Sequence, residues 1–233
     1  MITTIIFDYG NTLVYSASLA TSLERVLENP KGKRIGQAIE NEIQRLYQRD
    51  QVLQPDWRSI WQRCFAKHEM SFTEEIGKAH LREFCRAGNT HPQSVALLQE
   101  LSDRGFRLGL LSNVTGPAFL FQDDLRFRGM AHFFDEVVWS SAIGFRKPGA
   151  ACFNHILSQL EADPKQTLMI GDSELADVEG GQSVGLHTAR IVTGEGATKA
   201  DYSICSDHLQ RDTLAVIDKL LRPRARYNGL RGG

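Results

Sequence analysis

The sequence predicts an α/β fold in which a doubly wound parallel sheet carries an inserted helical domain. Short apolar, β-branched runs recur along the chain, and after about residue 90 they alternate with segments of helical periodicity. Such alternation favours a parallel sheet with helices on both faces. A polar stretch at about 16–88 has helical periodicity and few strand signals, which indicates an insertion after the first strand.

The composition is that of an ordinary soluble protein. With 233 residues, the chain can form one sizeable domain or a core domain with a smaller insert. A net charge of -1 gives no reason to expect nucleic acid or a membrane as partner. No apolar run approaches the roughly 20 residues of a bilayer span. The four scattered cysteines form no Cys-x-x-Cys pair, and no signal peptide is evident, which favours a cytoplasmic location.

The first strand is predicted at residues 2–7, an apolar run that ends at Asp8. The stretch that follows is predicted to form four helices. Within it, Ile35, Ile39 and Ile43 recur at helical spacing, and Asp56 can cap a helix that carries several large apolar residues.

The rest of the chain is predicted to alternate between strands and helices. The predicted strands are 106–111, 134–139, 167–170, 186–192 and 202–205, and the predicted helices are 93–104, 149–161, 174–183 and a last one that ends at Leu221. We therefore divide the chain into a core at 1–15 and 90–221, a helical domain at 16–89, and a basic tail at 222–233.

Four motifs follow predicted strands and carry the chemistry. They are Phe7-Asp8-Tyr9-Gly10-Asn11-Thr12-Leu13, Leu110-Leu111-Ser112-Asn113, Arg146-Lys147-Pro148 and Ile170-Gly171-Asp172-Ser173-Glu174-Leu175-Ala176-Asp177. In open parallel sheets, ligands bind beyond the carboxyl ends of the strands. The sequence therefore predicts that a carboxylate, a hydroxyl, an ammonium group and an acidic pair meet at one edge of the sheet.

Asp8 is the candidate nucleophile. A carboxylate at this place can attack phosphorus and form an aspartyl-phosphate, which divides one difficult displacement into two easier ones. Taken alone, Asp8 favours the alternative interpretation of an aspartate that caps a strand-to-helix turn.

The acidic residues predict a magnesium site. Magnesium prefers oxygen ligands and keeps several waters, so Asp8, Asp172 and a backbone carbonyl near Gly10 suffice as protein ligands. Asp177 can bind the ion through water or hold a neighbouring loop. The structural alternative for Asp172 is the N-cap of the following helix, and both interpretations can hold together.

Ser112 and Lys147 suit the transferring group. Phosphoryl transfer depends mostly on positioning and charge stabilisation. We expect the Ser112 hydroxyl and the backbone N–H groups of Asn113 and Val114 to bind phosphate oxygens. Lys147 is expected to offset the negative charge around Asp8 and Asp172.

These motifs in this order resemble those of the haloacid dehalogenase superfamily, whose members are mostly phosphatases, and the resemblance covers nearly the whole chain. It implies a Rossmann-like core with a type 1 helical cap at 16–89 that closes over substrate. It also implies that Asp8 is the nucleophile and that Ser112 and Lys147 hold phosphate. By the same resemblance, Asp8, Asp172 and the Gly10 carbonyl bind Mg2+, and Asp177 is the second acid of the last motif.

The sequence departs from this family at Gly10. Phosphatases of the family usually carry a second aspartate there, which protonates the leaving oxygen and activates water. Such help is worth roughly 10²–10⁴-fold in rate. A phosphatase without it would rely on a cap residue, on water, on the substrate itself or on a good leaving group.

The function that the sequence favours is magnesium-dependent hydrolysis of a small phosphorylated metabolite. The alternatives are a 2-haloacid dehalogenase, a phosphonate hydrolase that uses a cap lysine, and a non-catalytic metal-binding scaffold with an exposed apolar patch. The candidate lysines are Lys31, Lys33, Lys67 and Lys78, and the candidate patch residues are Trp57, Trp61 and Phe65. The sequence leaves the substrate and the oligomeric state, monomer or homodimer, open.

Overall fold

A computed structural model describes residues 1–194 and 197–222. Its strands are β1 (Thr4–Phe7), β2 (Val14–Tyr15), β3 (Asn89–Thr90), β4 (Arg107–Ser112), β5 (Glu136–Trp139), β6 (Thr167–Gly171), β7 (His187–Val192) and β8 (Tyr202–Cys205). Six of them form one sheet in the order β5-β4-β1-β6-β7-β8, and every neighbouring pair in it is parallel. The predicted doubly wound α/β fold is therefore confirmed.

The helices cover both faces of this sheet and form the insert. They are α1 (Leu19–Leu27), α2 (Pro30–Gln44), α3 (Trp57–Ala66), α4 (Glu74–Ala87), α5 (Ser94–Asp103), α6 (Ala118–Phe127), α7 (Ser140–Ile143), α8 (Ala150–Gln159), α9 (Gly180–Ser183) and α10 (Leu209–Leu221). The four helices predicted for the insert are present. Helix α6 was not predicted, although Leu120, Phe121 and Leu125 repeat at helical spacing after Gly116-Pro117 and are buried.

The helix predicted at 174–183 is present in a different form. Residues Glu174–Glu179 wind as a π-helical segment, and only Gly180–Ser183 are α-helical. The Ser173 carbonyl accepts hydrogen bonds from the N–H groups of both Asp177 and Val178. Wide turns of this kind occur frequently at functional sites.

The register of the central strands brings three motifs together. Phe7 at the end of β1 lies opposite Leu110 of β4 and Ile170 of β6. The chain order runs outward in both directions from β1, so the sheet has its topological switch point there. The residues that follow these three strands therefore lie at one crevice, as the sequence predicted.

Alternating side chains of the strands form two apolar layers. In β1, Ile5 and Phe7 belong to the larger cluster, whereas Ile6 belongs to a smaller one on the opposite face with Phe153 of α8. Both layers exclude water from the sheet, which fixes the register because a shift by one residue would reverse the two faces.

The insert leaves and rejoins the core at one place, because β2 and β3 pair with each other in antiparallel fashion. Helices α1 and α2 then pack with their backbones in close approach. A Cβ at Gly36 would lie 2.5 Å from the Cα of Ala20, so the contact requires glycine. Trp57 and Trp61 are buried inside the insert, so they do not form the exposed patch that a scaffold protein would need.

The basic tail predicted at 222–233 lies outside the described residues from position 223 onward. Within residues 1–194 and 197–222, none of the helices combines the length and the apolar character needed to cross a lipid bilayer.

Candidate active site

Lys147 reaches the end of β1 and pairs with Asp8. Its Nζ donates to Asp8 Oδ1 at 2.7 Å and to the Leu111 carbonyl at 2.6 Å. The loop after α7 carries the lysine inward, as the sequence predicted, and its side chain is only 1% exposed. Asp8 therefore serves as an ion-pair partner and does not cap a helix.

Asp177 is the second partner of this lysine. Its Oδ1 lies 2.7 Å from Lys147 Nζ, and its Oδ2 accepts a hydrogen bond from the Ser173 N–H at 3.0 Å. The expectation that Asp177 holds a neighbouring loop is therefore confirmed. The helix N-cap is Ser173, whose hydroxyl accepts from the Ala176 N–H, so the interpretation of Asp172 as N-cap was wrong.

The site carries more negative than positive charge. Asp8, Asp172 and Asp177 each place a carboxylate oxygen within 4.8 Å of the others. Burial and the neighbouring carboxylates raise the pKa of Asp172, and burial raises that of Asp177 against the opposing effect of Lys147. Burial alone would lower the pKa of Lys147, but the charges of Asp177 and Asp8 outweigh it and raise the value. Three carboxylates face one ammonium ion, a composition that suits a divalent cation.

The loop after β4 uses its polar groups for contacts within the protein that the sequence did not predict. Ser112 is buried at the end of β4 and lines the cleft. The Asn113 side chain makes two hydrogen bonds with the Lys147 backbone. Its Nδ2 donates to the Lys147 carbonyl and its Oδ1 accepts from the Lys147 N–H, both at 2.9 Å. The Val114 N–H donates to Ser140 Oγ at 2.9 Å, so the expectation that it binds phosphate was wrong.

Gly10 lies beside these groups with no side chain. A Cβ at this position would be 3.1 Å from Ser16 Oγ, so the neighbouring serine takes part of the space of the missing side chain. Asn11 adopts a φ of 55°, and its N–H donates to the Val14 carbonyl. The turn is therefore closed by backbone hydrogen bonds, and Gly10 faces the cleft.

These residues line one cleft of about 680 Å³ between the sheet edge and the insert. Its wall includes Asp8, Ser112, Lys147 and Asp172 from the core, together with Leu81 of α4 and Tyr47 of the loop after α2. That volume lies in the range of small-molecule sites, about 300–1,000 Å³. None of the lysines considered for a phosphonate hydrolase lies among the described residues of this wall.

A buried polar network under the cleft was missed from the sequence. The Tyr9 hydroxyl donates to Asp124 Oδ2 at 2.7 Å, and Arg128 Nε donates to the same oxygen at 2.9 Å. Arg128 also donates to the carbonyls of Cys85 and Gly88, where the insert rejoins the core. Asp124 and Arg128 are four residues apart on one helix, but Tyr9 lies 115 residues from Asp124, and Cys85 and Gly88 lie 43 and 40 residues from Arg128. No local pattern therefore indicates the network as a whole.

Gln54 of the insert is a second residue that sequence reasoning missed. Its Nε2 donates to the Val114 carbonyl at 2.9 Å, and its Oε1 accepts from Ser140 Oγ at 2.8 Å. The Arg146 N–H donates to the Val52 carbonyl at 2.8 Å, and the Gln54 N–H donates to the Gly144 carbonyl at 2.9 Å. The loop between α2 and α3 is thus fastened to the loops that carry Ser112 and Lys147.

Solved structures share the fold. The HAD-hydrolase YfnB from Bacillus subtilis, bound to magnesium, superposes with a TM-score of 0.70 at 21% identity, covering 93% of this chain and 98% of that one. The L-2-haloacid dehalogenase from Xanthobacter autotrophicus gives a TM-score of 0.71 at 18% identity, covering 95% of this chain and 100% of that one.

Curated relatives are named phosphatases. The glyceraldehyde 3-phosphate phosphatase of Methanothermobacter thermautotrophicus is 31% identical over 54% of this chain, a match that spans only about half (52%) of that protein. The enzyme of the same name from Methanopyrus kandleri is 27% identical over 84% of this chain and 86% of its own length. The phosphoglycolate phosphatase of Aquifex aeolicus is 26% identical over 82% of this chain and 84% of its own length.

The family model described as haloacid dehalogenase-like hydrolase matches residues 2–185. This range contains every motif that forms the acidic cluster, together with the strands β1, β4, β5 and β6. The chain belongs to the haloacid dehalogenase-like hydrolase family and is an enzyme of its phosphatase and hydrolase type.

Proposed function

We propose that the protein is a magnesium-dependent phosphatase that hydrolyses a small phosphate monoester through an aspartyl-phosphate on Asp8. The observation that supports it most is the buried contact of Asp8 with Lys147 beside Asp172 and Asp177, at the wall of a ligand-sized cleft. A nucleophile fixed by a cation next to an acidic cluster is what transfer of a doubly charged phosphoryl group requires.

Each residue has a role that its contacts support. The Asp8 carboxylate uses Oδ1 to accept from Lys147, which leaves its second oxygen to attack phosphorus. Lys147 holds Asp8 in place and offsets the charge of the transferred group. The Ser112 hydroxyl, at the end of β4, binds a phosphate oxygen together with the Asn113 N–H. The side chain of Asn113 orients the Lys147 backbone.

The residues present fit Mg2+. Asp8, Asp172 and the Gly10 carbonyl would hold the ion, and Asp177 would act through water while it supports the loop at Ser173. The charge imbalance of the acidic cluster favours a divalent cation at this place. When bound, Mg2+ supplies charge neutralisation that lets an anionic phosphate approach two carboxylates.

We propose a phosphorylated metabolite of a few carbon atoms as substrate. The cleft holds a molecule of that size, and two relatives that match over more than four fifths of this chain are named for glyceraldehyde 3-phosphate and phosphoglycolate. The dehalogenase alternative is less well supported, because it has no use for the acidic pair Asp172 and Asp177. The likeness to dehalogenase structures concerns the fold alone.

The helical insert is proposed to act as the cap, with boundaries at 16–89 and the core at 1–15 and 90–221. Its loop between α2 and α3 contributes Tyr47 to the cleft wall and is fastened to the core through the hydrogen bonds of Gln54 to Val114 and Ser140. We also propose a cytoplasmic protein, monomeric or homodimeric, since all four cysteines are free thiols.

The test is phosphate release from a panel of small phosphate monoesters, with and without Mg2+, for the wild type and Asp8→Asn. We expect Mg2+-dependent release from the wild type and a loss of about 10³-fold or more in the variant, since its amide is not a nucleophile. Full activity in Asp8→Asn would show that the nucleophile is another residue. Release that is independent of Mg2+ would reject the metal role.

A further inference from the structure

The cap loop that follows α2 brings a tyrosine to the catalytic cleft. Tyr47 lines the same wall as Asp8, Ser112 and Lys147, and 44% of its surface is accessible. The residue borders an open cleft and is reached by solvent. Burial raises the pKa of its phenol, and the charges of Arg146 and Asp8 also act on it, in opposite directions.

Arg146 lies against the ring of this tyrosine. Its Cζ is 5.4 Å from the ring centroid, within the range of a cation–π contact. The arginine is completely buried, and its Nη1 donates weakly to Thr115 Oγ1 at 3.3 Å and to Gln54 Oε1 at 3.4 Å. Its Nε and Nη2 have no hydrogen-bond partner within the described residues.

A buried guanidinium without a carboxylate partner is unusual, because desolvation of an unpaired charge is costly. No ion pair of Arg146 with an acidic residue occurs in the described part of the chain. Its contact with the Tyr47 ring indicates what it stabilises. A negative charge that forms on the Tyr47 oxygen would find a cation already in place.

Three other groups of the cleft wall that could carry a proton, Tyr9, Asp124 and Glu174, are already engaged by partners. The Tyr9 hydroxyl donates to Asp124, and Asp124 pairs with Arg128. Glu174 accepts hydrogen bonds from Arg190 and from Thr198. None of these groups is placed to give a proton to a leaving oxygen without loss of a charged partner.

We propose that Tyr47 takes the place of the acid absent at Gly10 and protonates the leaving oxygen of the substrate, with Arg146 as its positioning residue. This inference rests on the proposed phosphatase function. Asp8 attacks phosphorus, the bond from phosphorus to the ester oxygen breaks, and its electron pair stays on that oxygen. The oxygen takes the phenolic proton, which yields the free alcohol, the aspartyl-phosphate and a phenolate beside Arg146.

The second half of the reaction restores the enzyme. Water attacks the phosphorus of the aspartyl-phosphate, and the phenolate accepts its proton. The electron pair of the broken acyl-phosphate bond returns to the Asp8 carboxylate, and inorganic phosphate leaves. Both half-reactions balance with water as the only co-reactant.

The leaving group provides the test. p-Nitrophenyl phosphate departs as a stable phenolate and needs no proton, whereas an alkyl phosphate departs as an alkoxide and does. We would measure kcat and KM of the wild type, Tyr47→Phe and Tyr15→Phe on p-nitrophenyl phosphate and on the alkyl phosphate of the panel that the wild type hydrolyses fastest. Tyr15 is the matched control, since it is a tyrosine of the same wall with 42% accessible surface.

We expect Tyr47→Phe to lower kcat/KM on the alkyl phosphate by about 10²-fold or more and to change kcat/KM on p-nitrophenyl phosphate by less than about threefold. The ratio kcat/KM reports the step in which the leaving group departs and not the later hydrolysis of the aspartyl-phosphate, which both substrates share. Tyr15→Phe should leave the ratio of the two rates unchanged. An equal effect of Tyr47→Phe on both substrates, or none on either, would overturn the role of Tyr47. So would a wild type that hydrolyses p-nitrophenyl phosphate but no alkyl phosphate.

Failure of the proposed function gives a different result. Asp8→Asn would then retain activity on both substrates, or the wild type would release phosphate from neither. In that case the role of Tyr47 falls with the function on which it rests. A different outcome would reject only the role of Tyr47. In that outcome Asp8→Asn loses activity on both substrates, and Tyr47→Phe changes the rates on both substrates by the same factor.

Discussion

Asp177 occupies the space in which a side chain at Gly171 would have to lie. An ideal Cβ at Gly171 would be 2.2 Å from Asp177 Oδ2, the same oxygen that accepts the Ser173 N–H. Glycine at the end of β6 is therefore what allows the π-helical segment to bring Asp177 back toward Lys147. The acidic cluster therefore depends on the absence of a Cβ at Gly171.

Gly171→Ala should displace Asp177 and weaken both the fold and the site. We expect the free energy of unfolding to fall by about 1–3 kcal/mol, the usual cost of an overpacked site, and phosphate release to fall with it. Urea unfolding and steady-state kinetics measure the two effects. Gly181→Ala is the control, since its Cβ would come no closer to another atom than 3.2 Å, to Thr188 Cγ2. Equal losses in both variants would contradict a specific role of Gly171.

Asp172→Asn should weaken Mg2+ binding. A ligand that binds only the folded state at 100 times its Kd stabilises it by about 2.7 kcal/mol. We expect Mg2+ to raise the melting temperature of the wild type and to do so in Asp172→Asn only at much higher concentration. Asp123→Asn, at an exposed position on α6, is the control. The same Mg2+ response in all three proteins would show that Asp172 is not a ligand.

Gly10→Asp should restore an acid to the site. A Cβ there meets only the end of the flexible Ser16 side chain at 3.1 Å, so rotation of that serine can make room. We expect the variant to recover alkyl phosphate hydrolysis at least about tenfold in a Tyr47→Phe background, within the usual range of acid–base help. The comparison is between Tyr47→Phe and the double variant. If a folded double variant hydrolyses alkyl phosphates no faster than Tyr47→Phe, an aspartate at position 10 cannot replace the acid function of Tyr47.

Arg146→Met should separate stability from function. Methionine fills a similar volume, and two nitrogens of Arg146 have no partner in the described part of the chain. We therefore expect a free energy of unfolding within about 1 kcal/mol of the wild type, or higher, since an unpaired buried charge is lost. Hydrolysis of alkyl phosphates should nevertheless fall more than that of p-nitrophenyl phosphate. A large loss of stability, with no change in the ratio of the rates on alkyl phosphates and p-nitrophenyl phosphate, would show that Arg146 supports the fold and does not position Tyr47.

Acid should destabilise the insert through His80. Trp61 Nε1 lies 3.0 Å from His80 Nδ1, and His80 Nε2 lies 2.8 Å from the Leu19 carbonyl, an arrangement that requires a neutral ring with its proton on Nε2. Burial lowers the pKa of His80 from 6.5 to about 4. As the pH falls, His80 is protonated in the unfolded chain at a higher pH than in the folded protein. The contribution of the neutral His80 to the free energy of unfolding is therefore complete above about pH 6.5 and is lost as the pH falls toward 4.

The slope from one such group is at most about 1.4 kcal/mol per pH unit. Urea unfolding between pH 7 and pH 4 measures it. His80→Gln should flatten the curve over this interval, whereas His155→Gln, at an exposed position, should not. A curve that keeps its slope in His80→Gln would assign the acid sensitivity to other groups.

The sequence by itself was sufficient for the sheet and its catalytic edge. Strand runs such as Thr167–Ile170 are apolar, short and bounded by polar residues, so their local pattern predicts both the strand and the place where it ends. The positions of Asp8, Ser112 and Asp172 follow from it, since parallel strands end at the same edge.

Contacts between distant residues were decided only by the tertiary structure. The pairing of Lys147 with Asp177, the commitment of the Val114 N–H to Ser140, and the cap of the last motif at Ser173 depend on loop geometry that no periodicity encodes. Tyr47 and Gln54 lie in a loop between two helices, where neither amphipathic spacing nor a motif marks them. The place of Tyr47 on the cleft wall and the contacts of Gln54 with the core follow from how the insert packs on the core, because side-chain contacts of that range depend on the whole fold and not on neighbouring residues.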